Sequence, residues 1–192
     1  MLKFVMAEIK EPKKVLLLIG LIFVKDFELN KVLNELKNDL GNILMKSNTI
    51  PFTHTIYYNK EMGDKLMRKW IVFDKLITPD ILVKVKHTTN DIEKKYLNDK
   101  NGRKINIDPG VLSLSNLILA STKDYSHRIY LGKGIYAEVT LIYKNKNFNP
   151  LEWTYPDHQE KIAIEFFEKA REALKKRLGN QFRNLGVYPS PL

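Results

Sequence analysis

The run Val15–Val24, VLLLIGLIFV, constrains this chain more than any other feature: it carries no charge and directly follows Lys13 and Lys14. It falls well short of the roughly 20 residues that a helix needs to cross a bilayer. No small-x-small cleavage pattern follows; the next residues are Lys25, Asp26 and Phe27, so the run does not read as a signal peptide. A short apolar run bounded by charge reads as a buried strand. The chain is therefore expected to be soluble and cytoplasmic, with no membrane segment. The absence of cysteine fits a reducing compartment. It also excludes disulfides, thiolate-held zinc, iron–sulfur clusters and a thiol nucleophile.

The pattern beyond the run is regular. Asp26 is placed to cap a helix, Leu29, Val32, Leu33, Leu36 and Leu40 recur at helical spacing, and Gly41 closes it. Ile43–Tyr58 reads as extended with a kink at Pro51. Gly63 and Asp64 mark a turn, and Arg68–Phe73 reads as extended or, with Leu66, Met67, Trp70 and Phe73 along one side, as a short helix. Thr78 and Pro79 open a second helix, with Ile81, Leu82, Val85, Ile92 and Tyr96 as its apolar stripe. Lys104–Asp108 is a short strand ending in an Asp-Pro-Gly turn. The order βαββαβ predicts an α+β fold with a ferredoxin-like unit over residues 13–108. Its two helices would cover one sheet face and leave the other free to bind.

Residues 111–178 read as a β-hairpin extension and a C-terminal helix. The strands are Asn116–Thr122, Arg128–Leu131 and Ile135–Tyr143, with a hairpin turn at Gly132-Lys133-Gly134. After Pro156, Asp157 and Glu160 have capping-box spacing, and Ala163, Phe166, Phe167, Ala170, Leu174 and Leu178 form a buried stripe. Residues 179–192 read as a loosely held tail. A chain of 192 residues suits a single domain, 1–192.

The net charge is +10, from 32 basic and 22 acidic residues. Such a balance suits RNA or another polyanion. Only six of the basic residues are arginine, the usual reader of bases and phosphates, so the charge is diffuse and lysine-based. The phosphate loop G-x-x-x-x-G-K-[ST] and G-x-G-x-x-G are absent, as is the G-x-S-x-G elbow. The four histidines lack the spacing of a metal-binding helix.

Polar residues concentrate in a few segments. In Pro51–Tyr58, an extended chain would point His54, Ile56 and Tyr58 one way and Thr53, Thr55 and Tyr57 the other. His54 is a candidate general acid or base, or a histidine hydrogen-bonded at a sheet edge. In Arg103–Gly110, Asn106 and Asp108 share a face and are a candidate pair for Mg²⁺ or a ribose hydroxyl; the alternative is an ordinary strand end. In Ser121–Arg128, the groups of Lys123, Ser126, His127 and Arg128 form the best anion-site candidate. Glu138, between Tyr136 and Thr140 on a strand, is either exposed or poised in a site. Trp153 and Tyr155 would cover a ligand or plug the gap between sheet and last helix.

These segments carry a likeness. PF-T-H-T-x-YY-x-x-EMG, N-x-DPG-x-L, L-x-LASTKD-x-SHRIYL-G-x-GIYAEVTL and WTYPD resemble the prokaryotic family of domain of unknown function 4416, from about Lys13 to Arg177. The resemblance implies a small stand-alone cytoplasmic protein and no particular reaction. Some members carry the label GTP-binding protein. This chain lacks the phosphate loop, and Asn145-Lys146 is followed by Asn147 and Phe148 rather than x-Asp, so GTP would not bind as in P-loop GTPases.

The first functional expectation is a cleft for a small phosphorylated molecule or nucleotide, with or without turnover. Lys123, His127 and Arg128 would hold phosphate; Asp108 and Glu138 would hold Mg²⁺ or orient a hydroxyl. His54 would transfer protons, and Tyr57 or Tyr58 would stack on a base, with Thr53, Thr55, Arg103, Asn106 and Ser126 as further contacts. The second is an RNA-binding module using an open basic sheet face. The third is a structural or assembly protein that forms a homo-oligomer through a strand edge.

Overall fold

Val15 to Phe23 are all buried, so this strand needs partners on both edges and cover on both faces. The computed structural model, which describes residues 8–184, supplies all of these. The elements run β1 (Val15–Val24), α1 (Leu29–Leu40), β2 (Ile43–Lys46), β3 (Ile50–Phe52) and α2 (Asn59–Met62). They continue with β4 (Leu66–Ile77), a 3₁₀ turn (Pro79–Ile81), α3 (Leu82–Glu93), β5 (Ile105–Leu112) and β6 (Asn116–Ser121). The described residues end with β7 (Ile129–Gly132), β8 (Ile135–Lys144), β9 (Asn147–Pro150), α4 (Pro156–Gln159) and α5 (Lys161–Asn184). The protein is an α+β fold around one nine-stranded antiparallel sheet of order β2-β4-β1-β5-β6-β8-β7, with β3 on β4 and β9 on β8.

Alternate side chains of β1 face opposite ways. Leu17, Ile19, Leu21 and Phe23 pack against Val32, Leu33 and Leu36 of α1 and Val85 and Ile92 of α3. Leu16 and Leu18, with Trp70 and Val72 of β4, pack against Ala163, Phe166, Phe167, Ala170 and Leu174 of α5. The second face is therefore not free, as the βαββαβ pattern alone suggests. The long apolar stripe of α5 needs a surface to bury against, and that face is the one available.

Other local expectations change. Residues 53–58 do not continue as a strand: the Tyr57 N–H donates to Thr55 Oγ1 at 3.0 Å, a hydroxyl turn that competes with sheet pairing. The C-terminal helix is broken at Glu160, whose backbone is extended. Asp157 and Glu160 form no capping box; their carboxylates reach Arg68 and His54 instead. Helix α5 runs past Gly179 to Asn184, and residues 185–192 of the expected tail lie outside the described residues.

The last change matters most for function. Asp108-Pro109-Gly110 is not a turn, because β5 runs straight through it to Leu112. The N–H and C=O of Ile107 point to the outer edge of β5, where they meet Glu93 and Lys86 of α3. Residues two apart use the same edge, so Pro109 presents that edge without an N–H. The β5–β6 ladder accordingly holds only from Gly110–Leu119 to Leu112–Leu117 and then stops. At Gly110 a Cβ would stand 2.5 Å from the Ile118 carbonyl oxygen, so glycine is what lets β6 approach at all.

Phe167 is fully buried between Trp70, Phe166 and His158, and it clamps α5 to the sheet. Phe167→Ala should cost about 3–5 kcal/mol, read as a lowered urea midpoint with an unchanged slope. A loss below about 1 kcal/mol would mean that α5 is not packed in this way.

Candidate functional site

Where β5 and β6 part, a cavity of about 910 Å³ opens on the part of the α5-side sheet face that α5 itself does not cover. Cross-strand pairing places Arg68, Ile22 and Asn106 in one row of that face, and Trp70, Gly20 and Asp108 in the next. The walls come from the 53–58 loop, α3, the Arg103 turn, the 121–128 loop and residues 153–158. Six basic side chains line it (Arg68, Lys86, Lys94, Arg103, Lys123, Arg128) against four carboxylates (Glu93, Asp108, Glu138, Asp157).

Three arginine-centred networks organise these groups. Arg103 makes a bidentate pair with Glu61, from Nε to Oε1 at 2.7 Å and from Nη2 to Oε2 at 3.0 Å. Its Nη1 donates to Glu93 at 3.1 Å and to Asn106 at 2.7 Å. Asn106 donates in turn to Asp108, whose other oxygen takes Lys86 Nζ at 3.1 Å. Lys86 and Glu93 thus stand in for the strand that Pro109 turns away.

The second network centres on Arg128, whose side chain is 2 % exposed. Its Nε donates to Glu138 Oε2 at 2.7 Å, its Nη1 to Ser121 Oγ at 2.6 Å and to the Lys123 carbonyl at 3.0 Å, and its Nη2 to Tyr155 at 3.0 Å. Nearly all of its donors are committed, so Arg128 builds the 121–128 loop rather than reaching outward. Glu138 is buried, not on an exposed face; His127 Nε2 lies 3.3 Å from its Oε2, and among the described residues its Oε1 has no hydrogen-bond partner. The His127 ring is stacked between Tyr125 and Trp153.

The third network lies at the floor. Arg68 is 2 % exposed, with Nε 2.9 Å from Asp157 Oδ2, Nη2 3.3 Å from His158 Nε2, and its guanidinium 4.7 Å above the Trp70 ring. His158 Nδ1 faces Asp157 at 3.3 Å. This arrangement suits an Nδ1–H tautomer that accepts from Arg68 at Nε2.

Burial and partners shift these groups. Burial opposes charge on Asp157, but Arg68 and the neighbouring histidines hold its carboxyl well below the usual range. Burial likewise opposes Asp108, and Lys86 and Arg68 prevail, lowering it. The hydrogen bonds from Arg103 lower Glu61. Burial outweighs the cations near Glu93 and raises it. Burial raises the phenols of Tyr58 and Tyr155.

Among the sequence candidates, His54, Thr55, Tyr57, Tyr58, Arg103, Asn106, Asp108, Lys123, His127, Arg128 and Glu138 line this cavity; Thr53 and Ser126 do not. His54 Nε2 is 2.9 Å from Glu160 Oε1, which ties the 53–58 loop to the start of α5. Lys123 Nζ donates to the Tyr57 hydroxyl at 2.7 Å, which ties the same loop to the 121–128 loop. Trp153 and Tyr155 line the cavity half-exposed, while Thr154 between them is buried and bonded to the Thr140 carbonyl. Sequence reading missed Arg68, Asp157, His158, Lys86 and Glu93. Arg68 had a signal: it shares its strand face with Trp70 and Val72, a position where charge is out of place. Among the described residues no three Asp, Glu or His side chains gather as a metal-ligand set. A Mg²⁺ at Asp108 would compete with Lys86 and Asn106 for its oxygens.

The chain matches the family described as domain of unknown function (DUF4416) over residues 13–174. It belongs to that family. No curated protein and no solved structure matches it. No helix among the described residues is long and apolar enough to cross a membrane.

Two outcomes follow from the networks. Arg128→Ala strands the buried Glu138 carboxylate and should cost about 3–5 kcal/mol in urea unfolding. The double change Arg128→Met with Glu138→Leu should recover most of that loss, and no recovery would contradict the pairing. The second concerns acid. A carboxyl with a lowered folded pKa binds fewer protons folded than unfolded. Its contribution is complete above the unfolded value of about 4 and drains as pH falls. Asp108, Asp157 and Glu61 all act this way, and Glu93 acts in the opposite sense. Denaturant stability should fall as pH drops below about 4, and Asp157→Asn should flatten that fall. An unchanged slope would show that Asp157 does not carry it.

Proposed function

We propose that this protein binds a small phosphorylated ligand or nucleotide in the cavity between the 51–63, 103–110 and 121–138 segments. The observation that carries this reading is the cavity itself: one space of about 910 Å³, in the range of small-ligand sites, with cations in excess and exposed rings at its mouth. Lys123 is the rim cation, since its ammonium meets a phenol and, among the described residues, no carboxylate. Tyr57, Trp153 and Tyr155 are 59 %, 38 % and 45 % exposed and offer faces for a planar ring. Asp108 and Glu138 are the carboxylates placed to orient a hydroxyl, and His54, hydrogen-bonded to Glu160, is the acid–base group at the wall.

The same reading extends to the fold. The strand order β2-β4-β1-β5, with α1 and α3 on one face, supports a ferredoxin-like unit to which β6–β9 and α5 are appended. An RNA platform on the opposite face is disfavoured because α5 lies there.

A thermal-shift panel of nucleotides and sugar phosphates, with and without Mg²⁺ and beside short RNAs, tests the proposal. A ligand at 100 times its Kd adds about 2.7 kcal/mol, a rise of roughly 5–10 °C for a chain of this size. Lys123→Ala should weaken the shift and Lys169→Ala, outside the cavity, should not. A shift with RNA alone would overturn the reading.

A further inference from the structure

We propose that the ligand enters phosphate-first and that Arg68, at the cavity floor, is the group that receives the phosphate, with Gly20 making room for it. This rests on the phosphorylated-ligand reading above.

Gly20 is the first observation. It sits in the middle of the central strand, where glycine weakens a sheet and usually marks a close approach. The approaching group is the Arg68 guanidinium: a Cβ on residue 20 would lie 2.8 Å from Nη2 and 3.2 Å from both Cζ and Nη1. Any side chain here would displace the guanidinium.

The second observation is how the guanidinium is held. Asp157 Oδ2 stands 2.9 Å from Nε as an ion pair without hydrogen-bond geometry, His158 Nε2 lies 3.3 Å from Nη2, and the Trp70 ring supports one face. Among the described residues no acceptor bonds Nη1, and Arg68 is one of the residues that line the cavity. One edge is therefore committed and the other open, which is how an arginine is aimed at an oxyanion. Tyr58 also lines the cavity; its hydroxyl makes no hydrogen bond among the described residues, and burial raises it so that it stays protonated. It supplies a second donor without adding charge.

The third observation is the contrast with Arg128, which has its donors committed to Glu138, Ser121, Lys123 and Tyr155. The floor carries two cations, Arg68 and Lys86, and two carboxylates, Asp108 and Asp157. Its hold on phosphate therefore comes from aimed N–H and O–H groups, with Lys123 at the rim adding net positive charge.

The test is calorimetric binding of ribose 5-phosphate, adenosine 5′-monophosphate and guanosine 5′-monophosphate, with the unphosphorylated nucleosides as controls. The variants are Gly20→Ala, which shifts the guanidinium without changing charge, and Arg68→Lys, which keeps the charge but removes the fork. Wild type should bind at least one phosphorylated probe and neither nucleoside. Each variant that unfolds cooperatively should weaken binding by about tenfold or more, the scale of one lost charged hydrogen bond. In the wild-type protein the Arg68 side-chain ¹⁵N signals should move on titration with that probe, which needs no variant to fold. Full binding by folded Gly20→Ala, or Arg68 signals that stay still while a probe binds, overturns the inference and leaves the binding reading intact. Failure of wild type to bind any phosphorylated probe removes the binding reading, and the inference with it.

Discussion

The missing N–H of Pro109 is the constraint on which the rest depends. On the outer edge of β5 it removes the donor that would carry the β5–β6 ladder beyond Gly110. The two strands must part, and the edge left bare must find other partners, because unpaired buried backbone groups are costly. Lys86 and Glu93 supply them at Ile107. Two charged side chains thereby turn inward on a helix whose other buried residues are Leu82, Val85, Thr89 and Ile92. Once there, they need counter-charges of their own, and Asp108, Asn106, Arg103 and Glu61 follow as one connected set.

A second chain of consequence starts at Gly20. With no side chain there, Arg68 can lie flat over the central strand. A buried guanidinium demands a carboxylate, and Asp157 provides it from α4. For Asp157 and His158 to face the sheet, the helix has to break before α5 begins, and the extended backbone at Glu160 is that break. Glu160 is then free to hold His54, which pins the 53–58 loop at the cavity wall. Fold and site are thus coupled through the same few charged groups.

Much of the framework was legible from pattern alone. β1 begins and ends where the apolar run does, and α1 stops at Gly41, whose φ of 102° needs a glycine. Most candidate site residues line one cavity, because the loops that carry them border the gap between β5 and β6. What was not legible depended on tertiary partners. Asp-Pro-Gly is a turn signal in isolation; it becomes a strand only when no neighbour asks Pro109 for a hydrogen bond. Asp157 and Glu160 have cap spacing, but Arg68 and His54 compete for them and win, since a buried charge outweighs a cap. Arg128 looked like the outward-reaching anion group because its chemistry fits. Its saturation by Glu138, Ser121, the Lys123 carbonyl and Tyr155 depends on how the 121–128 loop folds back on β8, which residue types and spacing do not show. The glycine inside VLLLIGLIFV and the arginine on the apolar side of β4 were visible, and only together do they mark the cavity floor.

The most direct test is a crystal structure of the protein grown with ribose 5-phosphate. The account predicts phosphate density in the cavity where β5 and β6 part, within hydrogen-bond distance of Arg68 Nη1 and the Tyr58 hydroxyl, with the Arg128–Glu138 pair undisturbed. Density outside this cavity, or phosphate held by Arg128 after it has left Glu138, would contradict it.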